Sequence, residues 1–365
     1  MAATDETVGA EVLGPLARGT TGPLRTAYSG LVCDLDGVVY RGAGAVPGAP
    51  DVLRRLGSEG MRIVYATNNA SRLPSEVADH LESLGLRVTA AEVVTSAQAG
   101  AAELATCLPP GSRVLALGGP GVAAALTEVG LDVVAPSSPG VNEQTDAVLQ
   151  GLGRELTVAD FEAAARHLTN GAVWVATNAD DTLPLEWGLA PGNGAYVRLL
   201  ADTVDREPRV VGKPHAPLYR AAVDRLGTPP QLTLAVGDRL DTDIAGAVAA
   251  GLDSVWVLTG VHRPSELLRR FDGCVPTWVI ASLSELEQPY AAVLRADGVF
   301  TCAGGRARVS TSGLEVDPGP ARPIEVVRAG LAALLDRVMA RQPSGVDVER
   351  AAEQLDGLLE GSPGA

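Results

Sequence analysis

Short apolar runs alternate with longer stretches of helical spacing over most of the chain. Residues 31–33 are wholly apolar and end at Asp34, so they predict a buried strand, and residues 51–60 predict a helix that ends in glycine. Residues 61–66 and 74–84 repeat this strand and helix pattern. Such alternation predicts an α/β fold, a doubly wound parallel sheet covered by helices.

The alternation continues through two further blocks. Their predicted strands lie at residues 113–117, 147–150, 173–176, 210–211, 233–236 and 254–258. Their predicted helices lie at residues 121–130, 158–168, 217–226 and 244–250. A segment rich in glycine and proline, residues 184–194, predicts an irregular loop.

After residue 286 the pattern changes. Residues 291–310 contain two glycine turn signals and predict a β-hairpin, and residues 323–341 and 346–359 predict two amphipathic helices. We therefore expect a C-terminal ββαα extension. The expected segments are an N-terminal arm (1–28), a core in two parts (29–104 and 205–288), an inserted α/β domain (105–204) and the extension (289–365).

The formal net charge is −15, which argues against nucleic acids and anionic membranes as partners. An anionic substrate would then need a local positive site, such as a metal ion. The four cysteines have neither disulfide nor zinc spacing, and we find no signal peptide and no apolar run long enough to span a membrane. We expect a cytoplasmic protein. Lys213 is the only lysine, although arginine is plentiful.

Asp34 and Asp36 form the strongest chemical signal, the motif D-x-D-G directly after a buried strand. Ligands bind at the carboxyl ends of the strands in an open α/β sheet. Two neighbouring carboxylates repel each other unless a cation or a proton compensates, and Mg²⁺ is a cation that prefers oxygen ligands. The alternative is an ordinary Asp-Gly turn.

Other polar residues also follow predicted strands. Asp238 follows the strand at 233–236 and could complete a metal site, while Asp243 could orient a metal-bound water or simply cap a helix. Thr67 could hold phosphate oxygens together with nearby backbone N–H groups, or could belong to a plain Thr-Asn-Asn turn. Lys213 could supply a compact positive charge, or could be a solvated surface residue.

The ordered motifs D-x-D-G, T-N-N, G-K-P and G-D-R-x-D-T-D resemble those of the haloacid dehalogenase superfamily. More narrowly they resemble the branch with a large α/β (C2-type) cap inserted between the second and third motifs. Two segments within residues 176–194, A-T-N-A-D and P-G-N-G, are similar to the cap signature of that branch, and L-T-G-V at 258–261 is similar to its late core motif. The resemblance covers residues 28–288 and implies a Rossmann-like core.

The resemblance also implies roles for individual residues. Asp34 would be the nucleophile, and Asp36 the general acid and then the general base. Mg²⁺ would be bound by Asp34, by the backbone carbonyl of Asp36 and by Asp238. Asp243 would lie next to these ligands and would not itself bind the ion directly. The phosphoryl group would be held by Thr67, Asn68, Asn69 and Lys213.

Phosphatase chemistry fits best among the activities of the superfamily. Dehalogenases lack the second acid, and phosphonate-cleaving members need a cap lysine. A mutase stays an open alternative, although mutases usually carry small helical caps. The substrate would be a small phosphorylated metabolite. The arginine-rich composition and the extra tail resemble actinobacterial glycerol 3-phosphate phosphatases, with phosphoglycolate, p-nitrophenyl phosphate and nucleotides as alternatives. Leu183 replaces the histidine of pyridoxal phosphate phosphatases.

A function of another class is also open, because the extension could make this a regulatory or binding protein. The extension resembles part of an acetyltransferase fold but has no R-x-x-G-x-G/A loop to bind acetyl-CoA. We expect it to pack on the core or to build a homodimer.

Overall fold

The computed structural model describes residues 15–185, 187–269, 274–340 and 347–359. These residues form two compact units. The first unit comprises the described residues up to Arg62 and those from Pro229 onward, and the second unit is Ile63–Thr228. The segment boundaries expected from the sequence stay predictions.

The elements are numbered in chain order. The strands are β1 (Gly30–Cys33), β2 (Tyr40–Arg41), β3 (Gly44–Ala45), β4 (Arg62–Thr67), β5 (Val93–Thr95), β6 (Arg113–Leu117), β7 (Asp132–Val134), β8 (Ala147–Gln150), β9 (Val173–Ala176), β10 (Thr182–Leu185), β11 (Gly188–Pro191), β12 (Arg209–Val210), β13 (Thr233–Gly237), β14 (Asp253–Val257), β15 (Trp278–Ile280), β16 (Val293–Ala296), β17 (Val299–Cys302), β18 (Gly305–Ser310) and β19 (Gly313–Asp317). The α-helices are α1 (Ala49–Ser58), α2 (Pro74–Ser83), α3 (Ser96–Cys107), α4 (Pro120–Glu128), α5 (Val158–Thr169), α6 (Asn193–Val204), α7 (Ala216–Leu226), α8 (Ala245–Ala249), α9 (Pro264–Arg269), α10 (Pro323–Met339) and α11 (Val348–Gly357).

A parallel sheet organises the first unit, and it confirms the predicted fold class. Its strands β1, β13, β14 and β15 pair in parallel, with β13 between β1 and β14. All four residues of β1 and all five of β13 are buried, as expected for strands covered on both faces. Cys33 is opposite Val236, so β1 and β13 end side by side. Asp34 and Asp238 therefore follow neighbouring strand ends.

The second unit contains the α/β domain that the sequence places between the two parts of the core. Its sheet has the order β12-β9-β8-β6-β7, and every pair in it is parallel. Leu115, Val148 and Trp174 from this sheet pack against Leu168 of α5 and Leu200 of α6. The same unit contains the parallel pair β4–β5, in which Thr67 is opposite Thr95.

The loop predicted at residues 184–194 is instead largely a β-hairpin. Strands β10 and β11 pair antiparallel, from Thr182 opposite Pro191 to Leu185 opposite Gly188. The sequence reasoning was misled by the prolines, which usually mark irregular structure but are tolerated in an edge strand. Gly188 takes a positive φ of 138° beside the turn. Glu186 lies outside the described residues.

The C-terminal extension has four strands where the sequence predicted two. Strands β16, β17, β18 and β19 form an antiparallel meander. The predicted hairpin covered β16, β17 and β18, and β19 was missed because only Leu314 of its five residues is buried. The predicted helices are confirmed as α10 and α11, and residues 341 and 346, where their expected ends lay, are outside the described residues.

Helix α10 ties the extension to the rest of the first unit. One hydrophobic cluster includes Val327 and Leu331 of α10, Leu355 of α11, and Trp256 and Val279 of the parallel sheet. The extension therefore shares a core with the first unit. No described helix has the length and the apolar character that crossing a membrane would require.

Candidate active site

Three aspartates converge at the carboxyl ends of β1 and β13. Carboxylate oxygens of Asp34, Asp238 and Asp243 lie within 4.8 Å of one another. Asp238 and Asp243 are almost wholly buried, with 1% and 2% of their surface exposed, and Asp34 is half-buried. Buried carboxylates this close repel each other strongly unless a cation or protons offset their charge.

Glycines let the backbone approach the Asp238 carboxylate closely. A Cβ atom on Gly37, which has a φ of +81°, would lie 2.5 Å from Asp238 Oδ2, and one on Gly260 would lie 1.9 Å from it. Both distances are impossible for real atoms, so the packing around this carboxylate requires glycine at both positions. A clustered set of carboxylate oxygens is the donor set that Mg²⁺ prefers, and these residues therefore fit a magnesium ion.

The segment 259–262 orients the acidic cluster. The backbone N–H of Val261 donates a 2.6 Å hydrogen bond to Asp238 Oδ2, and the Thr259 hydroxyl donates a 2.8 Å bond to the carbonyl of Gly37. Trp256 Nε1 donates to the backbone carbonyl of Asp238 at 3.0 Å. The sequence reasoning recognised this segment only as a family motif. Gly260, two residues after the predicted strand at 254–258, was the one signal in the sequence that the backbone approaches Asp238 closely.

Asp243 stabilises a local turn and also belongs to the acidic cluster. Its carboxylate accepts the backbone N–H of Arg239 at 3.1 Å, which stabilises the turn of π-helix at Leu240–Ile244. The same carboxylate belongs to the acidic cluster. His262 supports this turn from the other side, because its Nδ1 accepts the backbone N–H of Leu240 at 2.9 Å. From the sequence alone, His262 was assigned no role.

Asp36 differs from the three clustered aspartates because it is exposed to solvent. Partial burial of its carboxyl group nevertheless raises its pKa above the ordinary value, while a hydrogen bond from the Gly37 backbone and the positive charge of Arg239 oppose this rise. A carboxyl with a raised pKa can carry a proton closer to neutral pH than an ordinary aspartate, which suits a general acid.

A second cluster lies within the second unit, around the T-N-N motif at the end of β4. The side-chain oxygen of Asn68 accepts the backbone N–H of Lys213 at 2.8 Å, and its amide nitrogen donates to the Lys213 carbonyl at 3.2 Å and to Asp180 at 3.3 Å. Thr67 Oγ1 accepts the backbone N–H of Asn69 at 3.1 Å. The sequence-predicted residues Thr67, Asn68 and Lys213 are thus brought together.

The ammonium group of Lys213 is held at a defined place. Lys213 is only 4% exposed, so it is not the solvated lysine of the alternative interpretation. Its Nζ donates to the carbonyl of Ala66 at 3.1 Å and lies 5.8 Å from the ring centroid of Tyr219. A buried ammonium is stable only where negative charge or hydrogen-bond acceptors surround it.

Asn69 has a different place from its neighbours. Its side-chain oxygen accepts both the backbone N–H and the hydroxyl of Ser71 at 2.9 Å, so it stabilises the turn after β4. Its predicted role in holding phosphate stays a prediction. Two residues of the cap signature support the same turn: Asn178 donates to the Asn68 carbonyl at 2.8 Å, and Asn193 donates to the Asn178 carbonyl at 2.7 Å.

Family models match both parts of the chain that carry these clusters. Residues 31–132 match the haloacid dehalogenase-like hydrolase model, and residues 210–286 match a second model for hydrolases like the haloacid dehalogenases.

Known proteins with similar sequences are named as phosphatases or as a nucleotidase. The D-glycerol 3-phosphate phosphatase of Mycobacterium tuberculosis is 43% identical over 258 residues, which are 71% of this chain and 70% of that protein. A 5'-nucleotidase of Bacillus subtilis is 34% identical over 71% of this chain and 97% of its own length.

A solved structure is similar to a larger part of this chain than the sequence matches cover. The glycerol phosphate phosphatase of M. tuberculosis in complex with magnesium superposes with a TM-score of 0.79 and 37% identity, over 93% of this chain and all of that one. The same protein has also been solved in complex with calcium. Given the matched models and a 43% identical relative, the chain belongs to the haloacid dehalogenase-like hydrolase family.

Proposed function

We propose that this chain is a magnesium-dependent phosphatase that hydrolyses small phosphate monoesters through a phosphorylated Asp34. The observation that carries the proposal is the cluster of Asp34, Asp238 and Asp243, whose carboxylate oxygens lie within 4.8 Å of one another at adjacent strand ends. A cation would offset the repulsion within this cluster, and phosphatase relatives include one solved with magnesium. The chain is a phosphoric monoester hydrolase of its family.

Asp34 begins the reaction. One of its carboxylate oxygens attacks the phosphorus of the substrate, and the bond from phosphorus to the leaving alcohol breaks. Asp36 gives its proton to the departing oxygen, so the alcohol leaves neutral. The products of this half-reaction are the free alcohol and an acyl phosphate on Asp34.

Asp36 then reverses its role. It is now a carboxylate and takes a proton from a water molecule, whose oxygen attacks the phosphorus of the acyl phosphate. The bond between phosphorus and Asp34 breaks, inorganic phosphate leaves, and both aspartates return to their starting states. When bound, Mg²⁺ would offset the negative charge of the carboxylates and of the phosphoryl oxygens.

The second cluster would hold the phosphoryl group. Lys213 supplies a positive charge, and the Thr67 hydroxyl with backbone N–H groups after β4 supplies hydrogen-bond donors. The Asn68 side chain hydrogen-bonds to both the backbone N–H and the backbone carbonyl of Lys213, which supports a role in fixing the position of the lysine. Phosphoryl transfer depends on such positioning and charge balance.

Glycerol 3-phosphate is the proposed substrate. The relative named for that activity is 43% identical, and its magnesium-bound structure covers 93% of this chain, which includes most of the extension. The names of other relatives, a 5'-nucleotidase and acid sugar phosphatases, define the alternatives. Asp34, Asp36 and the metal cluster would act in the same way on any of these esters.

A panel of phosphate esters tests the substrate. We expect kcat/KM for glycerol 3-phosphate to exceed that for nucleoside monophosphates, sugar phosphates, phosphoglycolate and p-nitrophenyl phosphate, all assayed with Mg²⁺. A higher kcat/KM for any other member of the panel would contradict glycerol 3-phosphate as the substrate.

We also propose that the enzyme works in the cytoplasm and forms a homodimer, and light scattering of the purified chain tests the second point. A monomeric mass at micromolar concentration would contradict the dimer.

A further inference from the structure

Helix α11, at the end of the extension, contacts the short helix α9 of the same unit. The Asp356 carboxylate accepts two hydrogen bonds from Ser265, one from its backbone N–H at 2.9 Å and one from its hydroxyl at 2.7 Å. Ser265 is buried, with 1% of its surface exposed. A carboxylate that satisfies two buried donors at once makes a specific contact, and its loss would leave those donors unpaired.

Asp356 supplies what the sequence of α9 lacks. The residue before this helix is Arg263, whose side chain cannot accept a hydrogen bond, so the usual capping oxygen is missing at that position. The carboxylate of Asp356 takes over this function from a distant part of the chain. The extension thereby fixes the first turn of α9.

The first turn of α9 follows directly on the segment that orients the acidic cluster. Val261 donates to Asp238 Oδ2 at 2.6 Å, and His262 accepts from the backbone of Leu240 at 2.9 Å. Only Arg263 and Pro264 separate His262 from Ser265. The segment 259–262 therefore lies between two fixed ends, strand β14 and the start of α9.

We propose that the C-terminal extension positions the magnesium site, with Asp356 as the positioning residue. By fixing the start of α9, Asp356 holds segment 259–262 against Asp238 and keeps this carboxylate in the orientation that binds the ion. The inference rests on the proposed magnesium site and assigns the extension a part in it. Residues behind metal ligands commonly tune affinity in this way.

Titration of Mg²⁺ into the metal-free full-length protein, followed by calorimetry, tests the proposal. In Asp356→Ala we expect the dissociation constant for Mg²⁺ to rise roughly fivefold, the factor that corresponds to one lost capping contact. The kcat at saturating Mg²⁺ should change little. In Asp356→Asn an acceptor oxygen remains for the Ser265 N–H, so the affinity should largely recover.

Glu353→Ala is the matched control. Glu353 lies one turn before Asp356 on α11 and pairs with Arg269, at the far end of α9. Its loss weakens the same contact between the two helices without reaching the segment 259–262. Melting temperatures in a chelator measure the loss of stability in each variant, and the Mg²⁺ affinity of Glu353→Ala should equal that of the wild type.

Two results would overturn the positioning role. One is an unchanged Mg²⁺ affinity in Asp356→Ala, and the other is an equal loss of affinity in Glu353→Ala. Asp238→Asn separates this failure from a failure of the proposed function: if it abolishes Mg²⁺ binding while Asp356→Ala does not weaken it, the metal site stands and only the positioning role falls. A wild-type protein that binds no Mg²⁺ would remove both.

Discussion

At the scale of single residues, the charge and the burial of a few side chains define the candidate active site. The three clustered aspartates need a cation or protons to offset their charge, and Lys213 is buried with its Nζ donating to the Ala66 carbonyl at 3.1 Å. The sequence could predict these residue types because carboxylates at strand ends and a sole lysine are visible in it. It could not predict the supporting residues Val261 and His262, since a backbone N–H and a lone histidine carry no pattern.

Lys213→Arg keeps the charge but should lose much of the activity. The site of Lys213 is 4% exposed, and a planar guanidinium is larger than an ammonium and holds its five donors in a fixed fork. We expect kcat/KM to fall by an amount that corresponds to about 2–4 kcal/mol, as for other positioned groups that stabilise charge. Lys213→Ala should be at least as impaired. A near-normal kcat/KM for Lys213→Arg would contradict the phosphate-binding role.

The pH dependence should report on Asp36. Burial raises the pKa of Asp36, and Arg239 lowers it by favouring the carboxylate. Because the general acid must be protonated, kcat for an alkyl phosphate should fall as the pH rises through this pKa. Arg239→Ala removes the positive charge that stabilises the Asp36 carboxylate, so the pKa of Asp36 should rise. The falling limb of the plot of kcat against pH should therefore move to higher pH. A limb that stays in place or moves to lower pH would contradict the assignment of Asp36 as the acid.

Gly260→Ala should destroy the magnesium site, because the new Cβ would lie 1.9 Å from Asp238 Oδ2. We expect Mg²⁺ binding measured by calorimetry to be lost. Gly57→Ala is the control, since Gly57 is inside helix α1 and a Cβ there meets no atom within 4 Å. That variant should bind Mg²⁺ like the wild type and should be slightly more stable. Normal Mg²⁺ affinity in Gly260→Ala would show that the close approach to Asp238 is unimportant.

At the scale of elements, wholly buried strands are the best-predicted part of the fold. Strands β1 and β13 are wholly buried apolar runs followed by an acidic residue, and the structure confirms both. The hairpin β10–β11 was missed because prolines usually mark irregular structure. Strand β19 was missed because only Leu314 of its five residues is buried.

Hairpin β10–β11 should select the substrate. It displays two apolar side chains, Trp187 and Leu189, with 73% and 65% of their surfaces exposed, so it offers apolar surface to a ligand, and binding residues are often found on such connecting segments. Leu183→His should change the ranking of phosphate esters by kcat/KM. Turnover of p-nitrophenyl phosphate should stay largely intact. The same ranking before and after the substitution would exclude this hairpin as the selecting element.

At the scale of the whole molecule, the C-terminal extension is packed against the parallel sheet of the first unit. Its helix α10 buries Arg328, which donates to Glu285 at 2.6 Å and to the carbonyl of Val279 at 2.8 Å, and which stacks on Tyr290 at 3.8 Å. A buried arginine with these partners fixes the extension to the edge strand β15. The sequence predicted packing on the core as one option, and the shared hydrophobic cluster confirms it.

The central claim is that a phosphoryl group passes through Asp34. Mass spectrometry of peptides from acid-quenched turnover with glycerol 3-phosphate and Mg²⁺ tests it most directly. We expect the peptide that contains Asp34 to gain the mass of one phosphoryl group in the wild type. The Asp34→Asn variant should give neither a phosphorylated form of the corresponding peptide nor turnover, because a neutral amide cannot attack phosphorus. A phosphoryl group on another residue, or turnover that persists in Asp34→Asn, would contradict the mechanism.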